Sequence, residues 1–361
     1  MKTKRFSLII FTLLFITIAL SACASGSRVM ASGWAGITTD DETAYLAYNT
    51  HVYAIDLANG NLRWRYPSEP DPKITFYAPP ALTEDGQLII GGYDNILYSL
   101  NPLNGQVNWT FEGAEGRYVG GPLVTEHGIF VPSTDYRVYA LGFNGQPLRD
   151  PFPTEAEIWA TPGSDSECEC VYVASMDHRV YAINAKTGSL SWVTNDLGGA
   201  LVGTPALSED RQLYISTFAE EMVALNADNG AELWRFTAQD WVWGGPALGD
   251  DTIYFGDLSG AFFALDRQSG VQKWQTQTGS AIVDSPLVTE EAIYLTAENG
   301  LLVSVTPEGV NRWQKEFEGN TYSGPVAAGD LILVSTSQPE ALLVAFDSNG
   351  VQKWTFSDAG E

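Results

Sequence analysis

Basic residues are scarce in this sequence. It has 19 Lys and Arg residues against 44 Asp and Glu residues, which gives a formal net charge of −25 over 361 residues. Binding to nucleic acid depends on Lys and Arg side chains that neutralise phosphates, and docking to anionic lipid depends on clustered positive charge. The composition therefore argues against both kinds of partner. The simplest role for the excess negative charge is to keep an exposed protein in solution.

Histidine is rarer still, and the usual motifs of catalysis are missing. His51, His127 and His178 fall in or beside predicted turns, and none has a metal-binding partner two or four positions later. We interpret all three as solvated turn residues. The sequence has no nucleophile elbow, no phosphate-binding loop and no zincin motif. It therefore predicts neither a metal site nor a catalytic residue.

Cysteine is limited to three residues, two of which lie close together. Cys168 and Cys170 are separated by one residue, near the start of a predicted strand. In an oxidising compartment they can form a small disulfide, although such neighbours lie near the upper limit of bridgeable distance. Two free, buried thiols are the alternative. The spacing is weak evidence for a metal site.

The N-terminus has the features of an export signal. Lys2, Lys4 and Arg5 form a positive region, and Phe6–Leu20 is a mainly apolar run. This run is too short and wrongly flanked for a membrane span, and small residues follow it.

The junction Leu-Ser-Ala-Cys that ends at Cys23 resembles the lipobox of bacterial lipoproteins. That resemblance implies cleavage before Cys23 and lipidation of its thiol, with 1–22 as signal peptide and 23–32 as tether. An ordinary signal with a chance cysteine is the alternative.

One sequence motif, or phrase, occurs eight times along the chain, at a period of about 40 residues. An apolar strand ends in Asp or Asn in most copies, a turn leads to Gly, and Trp follows, as in VYAIDLANGNLRW at Val52–Trp64. The repeat glycines are Gly60, Gly105, Gly145, Gly188, Gly230, Gly270, Gly309 and Gly350. The repeat tryptophans are Trp64, Trp109, Trp192, Trp234, Trp274, Trp313 and Trp354. The third copy is eroded and has Arg149 in place of Trp.

A second marker runs in register with the first. It is a proline in seven repeats, with Ile37 at the equivalent place in the first: Pro80, Pro122, Pro162, Pro205, Pro246, Pro286 and Pro325. Each repeat predicts four short strands joined by tight turns. The sequence therefore predicts an all-β fold over 33–361, an eight-bladed β-propeller of four-stranded antiparallel blades. We expect each repeat Trp to pack between neighbouring blades and to hold them together.

The phrase that runs from Ala182 through Gly188 to Trp192 resembles the pyrroloquinoline-quinone-like repeat, over about residues 28–361. Eight such repeats behind a lipobox look like the BamB family of outer-membrane assembly lipoproteins. That resemblance implies a scaffold without chemistry. Quinoprotein dehydrogenases share the repeat, but they cover their quinone with a pair of adjacent cysteines over a calcium ion. Here Glu169 separates the two cysteines, so we expect no quinone cofactor.

The turns between first and second strands are predicted to form an acidic ring on one face of the propeller. Its residues are Asp40, Asp41, Glu42, Glu84, Asp85, Glu126, Asp165, Glu167, Glu209, Asp210, Asp250, Asp251, Glu290, Glu291 and Asp330. We interpret them as solvated turn residues, with weak calcium binding as the alternative.

The opposite face is predicted to carry aromatic residues beside the linkers between blades. Three positions before the marker stand Trp34, Tyr77, Trp159, Trp243 and Tyr322, with Val119, Val202 and Val283 in the other repeats. Trp241 lies two residues before Trp243. The proline-containing stretches Tyr66–Phe76 and Pro147–Ile158 are predicted to be long linkers. With Arg149, these aromatic residues are candidates for binding an extended peptide or a partner loop; packing around the channel mouth is the alternative.

The sequence therefore predicts a lipid-anchored, extracytoplasmic propeller that binds rather than catalyses. The anchor would hold it at the outer membrane or on the outer leaflet of the cell membrane. Other envelope proteins or extended peptides are the expected partners of a monomeric propeller within a complex. A quinone-dependent or carbohydrate-directed enzyme, or a ligand-binding propeller, is the alternative from another class.

Overall fold

The computed structural model describes residues 35–358, which form eight four-stranded antiparallel sheets. The predicted signal peptide, Cys23, the tether and Trp34 lie outside these residues. Each sheet uses four consecutive strands, so the prediction of eight four-stranded blades is confirmed. In the described residues no helix is long and apolar enough to cross a bilayer.

Blades 1 to 4 follow the chain in order. Their strands are β1 (Gly36–Thr39), β2 (Thr43–Tyr48), β3 (His51–Asp56), β4 (Leu62–Tyr66), β5 (Ala81–Leu82), β6 (Leu88–Gly91), β7 (Leu97–Leu100), β8 (Val107–Phe111), β9 (Leu123–Thr125), β10 (Gly128–Ser133), β11 (Arg137–Leu141), β12 (Phe152–Pro153), β13 (Gly163–Asp165), β14 (Cys170–Ala174), β15 (Val180–Asn184) and β16 (Leu190–Val193).

Blades 5 to 8 complete the ring. Their strands are β17 (Ala206–Leu207), β18 (Gln212–Thr217), β19 (Glu221–Asn226), β20 (Glu232–Thr237), β21 (Ala247–Leu248), β22 (Thr252–Gly256), β23 (Ala261–Asp266), β24 (Gln272–Gln277), β25 (Leu287–Val288), β26 (Ile293–Ala297), β27 (Leu301–Val305), β28 (Asn311–Glu316), β29 (Val326–Ala328), β30 (Leu331–Ser335), β31 (Leu343–Phe346) and β32 (Gln352–Phe356). A short 3₁₀-helix, Pro339–Ala341, lies between β30 and β31.

The middle two strands of each blade form the core. In blade 1, β2 and β3 are buried along almost their whole length, because both faces of the sheet pack against neighbouring blades. The outermost strand β4 is mostly exposed. Eight hydrophobic clusters result; one of them joins residues of the first blade, such as Leu46, to residues of the last, such as Leu333.

Each repeat Trp lies at an interface between blades. In blade 1 Trp64 pairs across the sheet with Ala54, and its ring lies against Gly105 of the next blade. The Trp64 Nε1–H donates to the Pro102 carbonyl at 2.8 Å. The same bond joins Trp109 to Phe143, Trp192 to Ala227, Trp234 to Arg267, Trp274 to Pro307, Trp313 to Ser348 and Trp354 to Leu57.

The position of the repeat Gly imposes two physical requirements that only glycine meets easily. Gly60 has φ of 77°, a left-handed conformation that closes the turn after Asp56. A Cβ atom at Gly60 would also lie 2.7 Å from the ring of Trp354. This contact between blade 8 and blade 1 closes the ring without exchange of a strand. Beside it, the Tyr53 hydroxyl donates to Asp358 at 2.6 Å.

Two predictions about the eroded third repeat need correction. The stretch Pro147–Ile158 is not only a linker, because it contains β12, the short outer strand of blade 3. Arg149 was predicted to contact a partner, but its side chain crosses to the next blade. Its Nη1–H donates to the Ala185 carbonyl at 2.7 Å, and its Cδ packs over Gly188. Desolvation at this interface lowers the pKa of the guanidinium.

Candidate functional site

The aromatic residues that stand three positions before the marker, beside the linkers between blades, converge on one central cavity. Tyr77, Trp159, Trp243 and Tyr322 line one cavity of about 150 Å³, together with the three valines of the other repeats. We call the surface that carries the linkers and the second-to-third strand turns the linker face, and this cavity the central cavity. The structure therefore brings together four of the candidates.

Small residues let the backbones approach closely around the central cavity. A Cβ atom at Gly244 would lie 2.4 Å from the backbone of Asp284, and one at Gly120 would lie 2.6 Å from the Ala160 carbonyl. Side chains at these two positions would therefore push neighbouring blades apart. This narrow ring of backbone positions the aromatic residues and valines that stand one place earlier in the repeats.

One carboxylate lies in this ring, and the sequence-based prediction missed it. Asp284 lines the central cavity and accepts hydrogen bonds from the backbone N–H groups of Ser285 and Gly324, each at 2.7 Å. Burial raises its pKa above the ordinary value for Asp. The equivalent residues of the other repeats are small: Ala35, Ala78, Gly120, Ala160, Gly203, Gly244 and Ser323. The sequence did contain a clue, because an acidic residue stands at a position where the other repeats have small residues.

The aromatic surface continues outwards from the central cavity in two directions. On one side Tyr77 contacts Tyr93 edge to face at 4.7 Å, and the Arg117 guanidinium lies 5.5 Å from the Tyr93 ring. On the other, Phe218 stacks on Trp241 at 5.1 Å and contacts Trp243 at 5.0 Å. Trp241 is 45% exposed. Tyr93 and Phe218 come from second-to-third strand turns, which the sequence-based prediction did not connect with the linkers.

The opposite surface, which we call the turn face, carries the predicted acidic residues. Most of these residues are exposed, as expected, but Asp165 is buried. It accepts a hydrogen bond from the Tyr172 hydroxyl at 3.0 Å and pairs with Arg211 at 2.9 Å. Hydrogen bonds from the Glu167 backbone N–H and the Tyr172 hydroxyl, together with the charge of Arg211, hold the pKa of Asp165 below its ordinary value in spite of burial. Solvation is therefore the wrong explanation for Asp165.

A wide groove also lies on the turn face, beside blades 5 to 7. Its volume is about 1400 Å³, and charges of both signs line it. Lys273 pairs with Asp251 at 2.8 Å, and Arg267 pairs with Asp210 at 3.3 Å. Within residues 35–358 no group of three or more His, Cys, Asp or Glu side chains is arranged to hold a metal ion. The calcium alternative therefore has no cluster of ligands in the described part of the chain.

The histidines occupy different environments. His51 is buried at the start of β3, against Thr50 and Tyr53, so its interpretation as a solvated residue is wrong. Desolvation lowers its pKa. His178 is partly exposed, and its Nδ1 lies 3.1 Å from Asp196. His127 lies 3.5 Å from Glu169, which is a turn residue between the two cysteines.

The two cysteines form a disulfide where the turn after β13 enters β14 of blade 4. Their Cα atoms are 5.2 Å apart, and Cys168 lies in the turn that leads to Cys170, the first residue of β14. Glu169, between them, has φ of 52°. The left-handed turn residue shortens the separation that a regular strand would impose, so the disulfide alternative describes the structure.

Comparison with known families identifies the repeat. The sequence profile of a family described as outer membrane protein assembly factor BamB matches residues 22–148, 154–239 and 218–314. The chain belongs to the BamB family. A crystal structure of BamB from Moraxella catarrhalis has a similar fold, with a TM-score of 0.69 and 15% identity, over 86% of this chain and 92% of that one. Identity this low supports the fold alone.

Curated relatives of this BamB-family chain include both assembly factors and enzymes. BamB of Yersinia pestis is 29% identical over 52% of this chain and 51% of its own length. Tetrathionate hydrolase of Acidithiobacillus ferrooxidans is 27% identical over 50% of this chain and 43% of its own length. A quinohemoprotein alcohol dehydrogenase of Pseudomonas putida is 32% identical over 28% of this chain and 16% of its own length. The chain thus spans about half the length of the first two relatives, or less.

Proposed function

We propose that this chain is a lipid-anchored, non-catalytic scaffold that binds other envelope proteins during the assembly of outer membrane proteins. Membership of the BamB family supports the assembly role. The observation that supports the binding role is the convergence of aromatic side chains from several blades on the linker face. Aromatic residues held by a rigid framework supply much of the binding energy of protein interfaces.

The shape of the linker face suits an extended segment of a partner. Aromatic contacts extend from the central cavity to Tyr93 on one side and to Trp241 on the other. A peptide or loop that crosses the cavity could contact rings on both sides, while its backbone remains extended. Because the ring of blades fixes the side chains in advance, binding would cost little ordering of the scaffold.

The proposed anchor complements this surface. Lipidation at Cys23 would attach the chain to a membrane, and 23–32 would act as a tether to the propeller. A single acyl chain binds membranes only weakly, and stable attachment takes more than one. A diacylated cysteine would therefore keep one propeller at the membrane, where it could join a complex.

Co-purification of partners from cell envelopes tests the scaffold role. The full-length chain, extracted in mild detergent, would be compared with a Trp243→Ser, Tyr322→Ser double variant. The matched control is Leu103→Ser, which removes an apolar side chain that is 85% exposed on the turn face. We expect the double variant to lose its partners and the control to retain them, with both folded by circular dichroism. Retention of partners by the double variant would refute binding at the linker face.

Catalysis at the central cavity is the second candidate function. The enzymes among the relatives favour it, together with the carboxylate of Asp284 in the cavity. Titration with pyrroloquinoline quinone, followed by its absorbance, tests the quinone-dependent form. Stoichiometric binding that Asp284→Asn abolishes would support the enzyme and contradict the scaffold as the whole function. We expect no saturable change.

A further inference from the structure

The central cavity combines a carboxylate with aromatic rings, and the repeat does not account for Asp284, because seven of the eight repeats have a small residue at its position. We propose that the central cavity binds one organic cation, an ammonium or guanidinium group, between Asp284 and the surrounding aromatic residues. The inference deepens the proposed function. It rests on that function only for the source of the cation, which would be a Lys or Arg side chain of the partner segment.

The carboxyl group of Asp284 has no cationic partner among the described residues. Its oxygens accept two backbone N–H groups, which leaves further lone pairs available on both. No Lys, Arg or His side chain from the described residues lines the cavity. Seven of the eight repeats place a small residue here, so the fold does not require a carboxylate at this position. A bound cation would compensate the charge of the ionised carboxylate, which the cavity partly shields from water.

The aromatic residues favour a cation of the organic kind. Tyr77, Trp159, Trp243 and Tyr322 line the same cavity as Asp284. The face of an aromatic ring carries partial negative charge and attracts ammonium and guanidinium groups, most strongly where water is excluded. The cavity volume of about 150 Å³ is several times the ~30 Å³ that one water molecule occupies in the liquid. It can therefore admit the head of a basic side chain.

A metal ion fits the same cavity poorly. Calcium takes about six to eight oxygen ligands, usually with several carboxylates, and magnesium requires a regular octahedron. Among the described residues the cavity offers one carboxylate, and no cluster of three metal-binding side chains is present. Aromatic rings supply no ligand to either ion. The formal charge of −25 would attract any cation from a distance, but the short-range contacts select an organic one.

Titration with a basic peptide tests the site without any partner protein. The full-length chain in detergent would be titrated with acetyl-Gly-Arg-Gly-amide and, as neutral control, acetyl-Gly-Gln-Gly-amide, at constant ionic strength. Calorimetry and tryptophan fluorescence would report binding. We expect saturable binding of the arginine peptide alone, and at least a tenfold loss of affinity in Asp284→Asn. The matched control is Glu318→Gln, which removes one exposed negative charge from the same face.

Several outcomes would overturn the site. One is the absence of saturable binding of the arginine peptide, and another is an affinity in Asp284→Asn equal to that of the parent chain. A loss of affinity in Glu318→Gln as large as that in Asp284→Asn would indicate non-specific attraction. If Asp284→Asn does not fold, Trp159→Leu provides a second test, because it keeps the carboxylate and should still weaken arginine-peptide binding severalfold. Unchanged affinity in that variant would contradict the aromatic contribution.

A second arm identifies the source of the cation. Ethylguanidinium chloride offers the same head group without a peptide backbone. Tighter binding of the arginine peptide supports a partner side chain as the ligand, and equal affinities overturn that source in favour of a free small cation. Because no partner is present, failure of this titration leaves the co-purification result intact. Loss of co-purification likewise leaves the cation site to be judged by titration.

Discussion

The Arg149 Nη1–H donates to the Ala185 carbonyl at 2.7 Å, where the other repeats use an indole N–H. The aliphatic part of the same side chain covers Gly188, as each repeat Trp covers the Gly of the next blade. The eroded repeat has therefore kept the contact between blades while changing the residue that makes it. The guanidinium is partly desolvated there, which is the physical cost of the replacement.

Arg149→Ala should destabilise the propeller, because it leaves the Ala185 carbonyl without its donor and removes packing over Gly188. We expect a loss of about 1–3 kcal/mol in the free energy of unfolding. Arg149→Trp should be at least as stable as the parent, since an indole can make the same bond without desolvating a charge. Chemical denaturation followed by circular dichroism measures both. An unchanged midpoint for Arg149→Ala would contradict a structural role for this side chain.

Trp234→Ala tests the corresponding contact in a regular repeat. Its Nε1–H donates to the Arg267 carbonyl at 3.0 Å, and its ring lies against Gly270. Loss of the ring should cost about 3 kcal/mol and lower the melting temperature. Leu233→Ala, at the exposed neighbouring position, is the matched control and should change little. Equal melting temperatures for the two variants would show that the indole does not hold the blades together.

The raised pKa of Asp284 predicts a particular dependence of stability on pH. Because its folded pKa lies above its unfolded value near 3.8, the folded state holds the proton more tightly. The contribution of Asp284 to stability should therefore fall as pH rises from about 4 through its folded pKa, and then level off. Relative to the parent, Asp284→Asn should become more stable over that pH range. Thermal melts of both proteins between pH 4 and 8 measure the difference, and a difference independent of pH would contradict the assignment.

Cys23→Ser tests the anchor independently of the propeller. Without the thiol the chain cannot be acylated, so we expect it to lose incorporation of radiolabelled palmitate and to appear in the soluble fraction. The propeller should still fold, because residues 35–358 form it without this segment. Undiminished labelling in the variant would place the lipid on another residue, and an unlabelled parent chain would contradict the anchor.

The sequence was sufficient to predict the fold because each repeat contains its own strands, turn and interface Trp. The Asp56 to Gly60 turn and the contact of Trp64 with the next blade both follow from a local phrase that recurs. The closure between Trp354 and Leu57 did not follow, because it joins residues 297 positions apart. A recurring pattern does not state where the ring ends.

The site was predictable only in part, for a related physical reason. Tyr77 and Tyr322 occupy the same position in different repeats, so the repeat itself predicted that they would converge. Asp284 differs from its equivalents, and its role depends on backbone groups of the following blade, such as Gly324 N–H. Phe218 contacts Trp241 through a turn that the pattern leaves variable. The roles of residues that differ from one repeat to the next can therefore be seen only in the structure.

Site-specific photocrosslinking tests, in living cells, whether the linker face is the binding surface. A photoreactive phenylalanine analogue would replace Tyr322 on the linker face or, as control, Leu103 on the turn face, in cells that express the full-length chain. We predict that the Tyr322 probe yields a discrete crosslinked species with an envelope protein and that the Leu103 probe yields none. The same crosslinked partner from Leu103, with none from Tyr322, would contradict binding at the linker face.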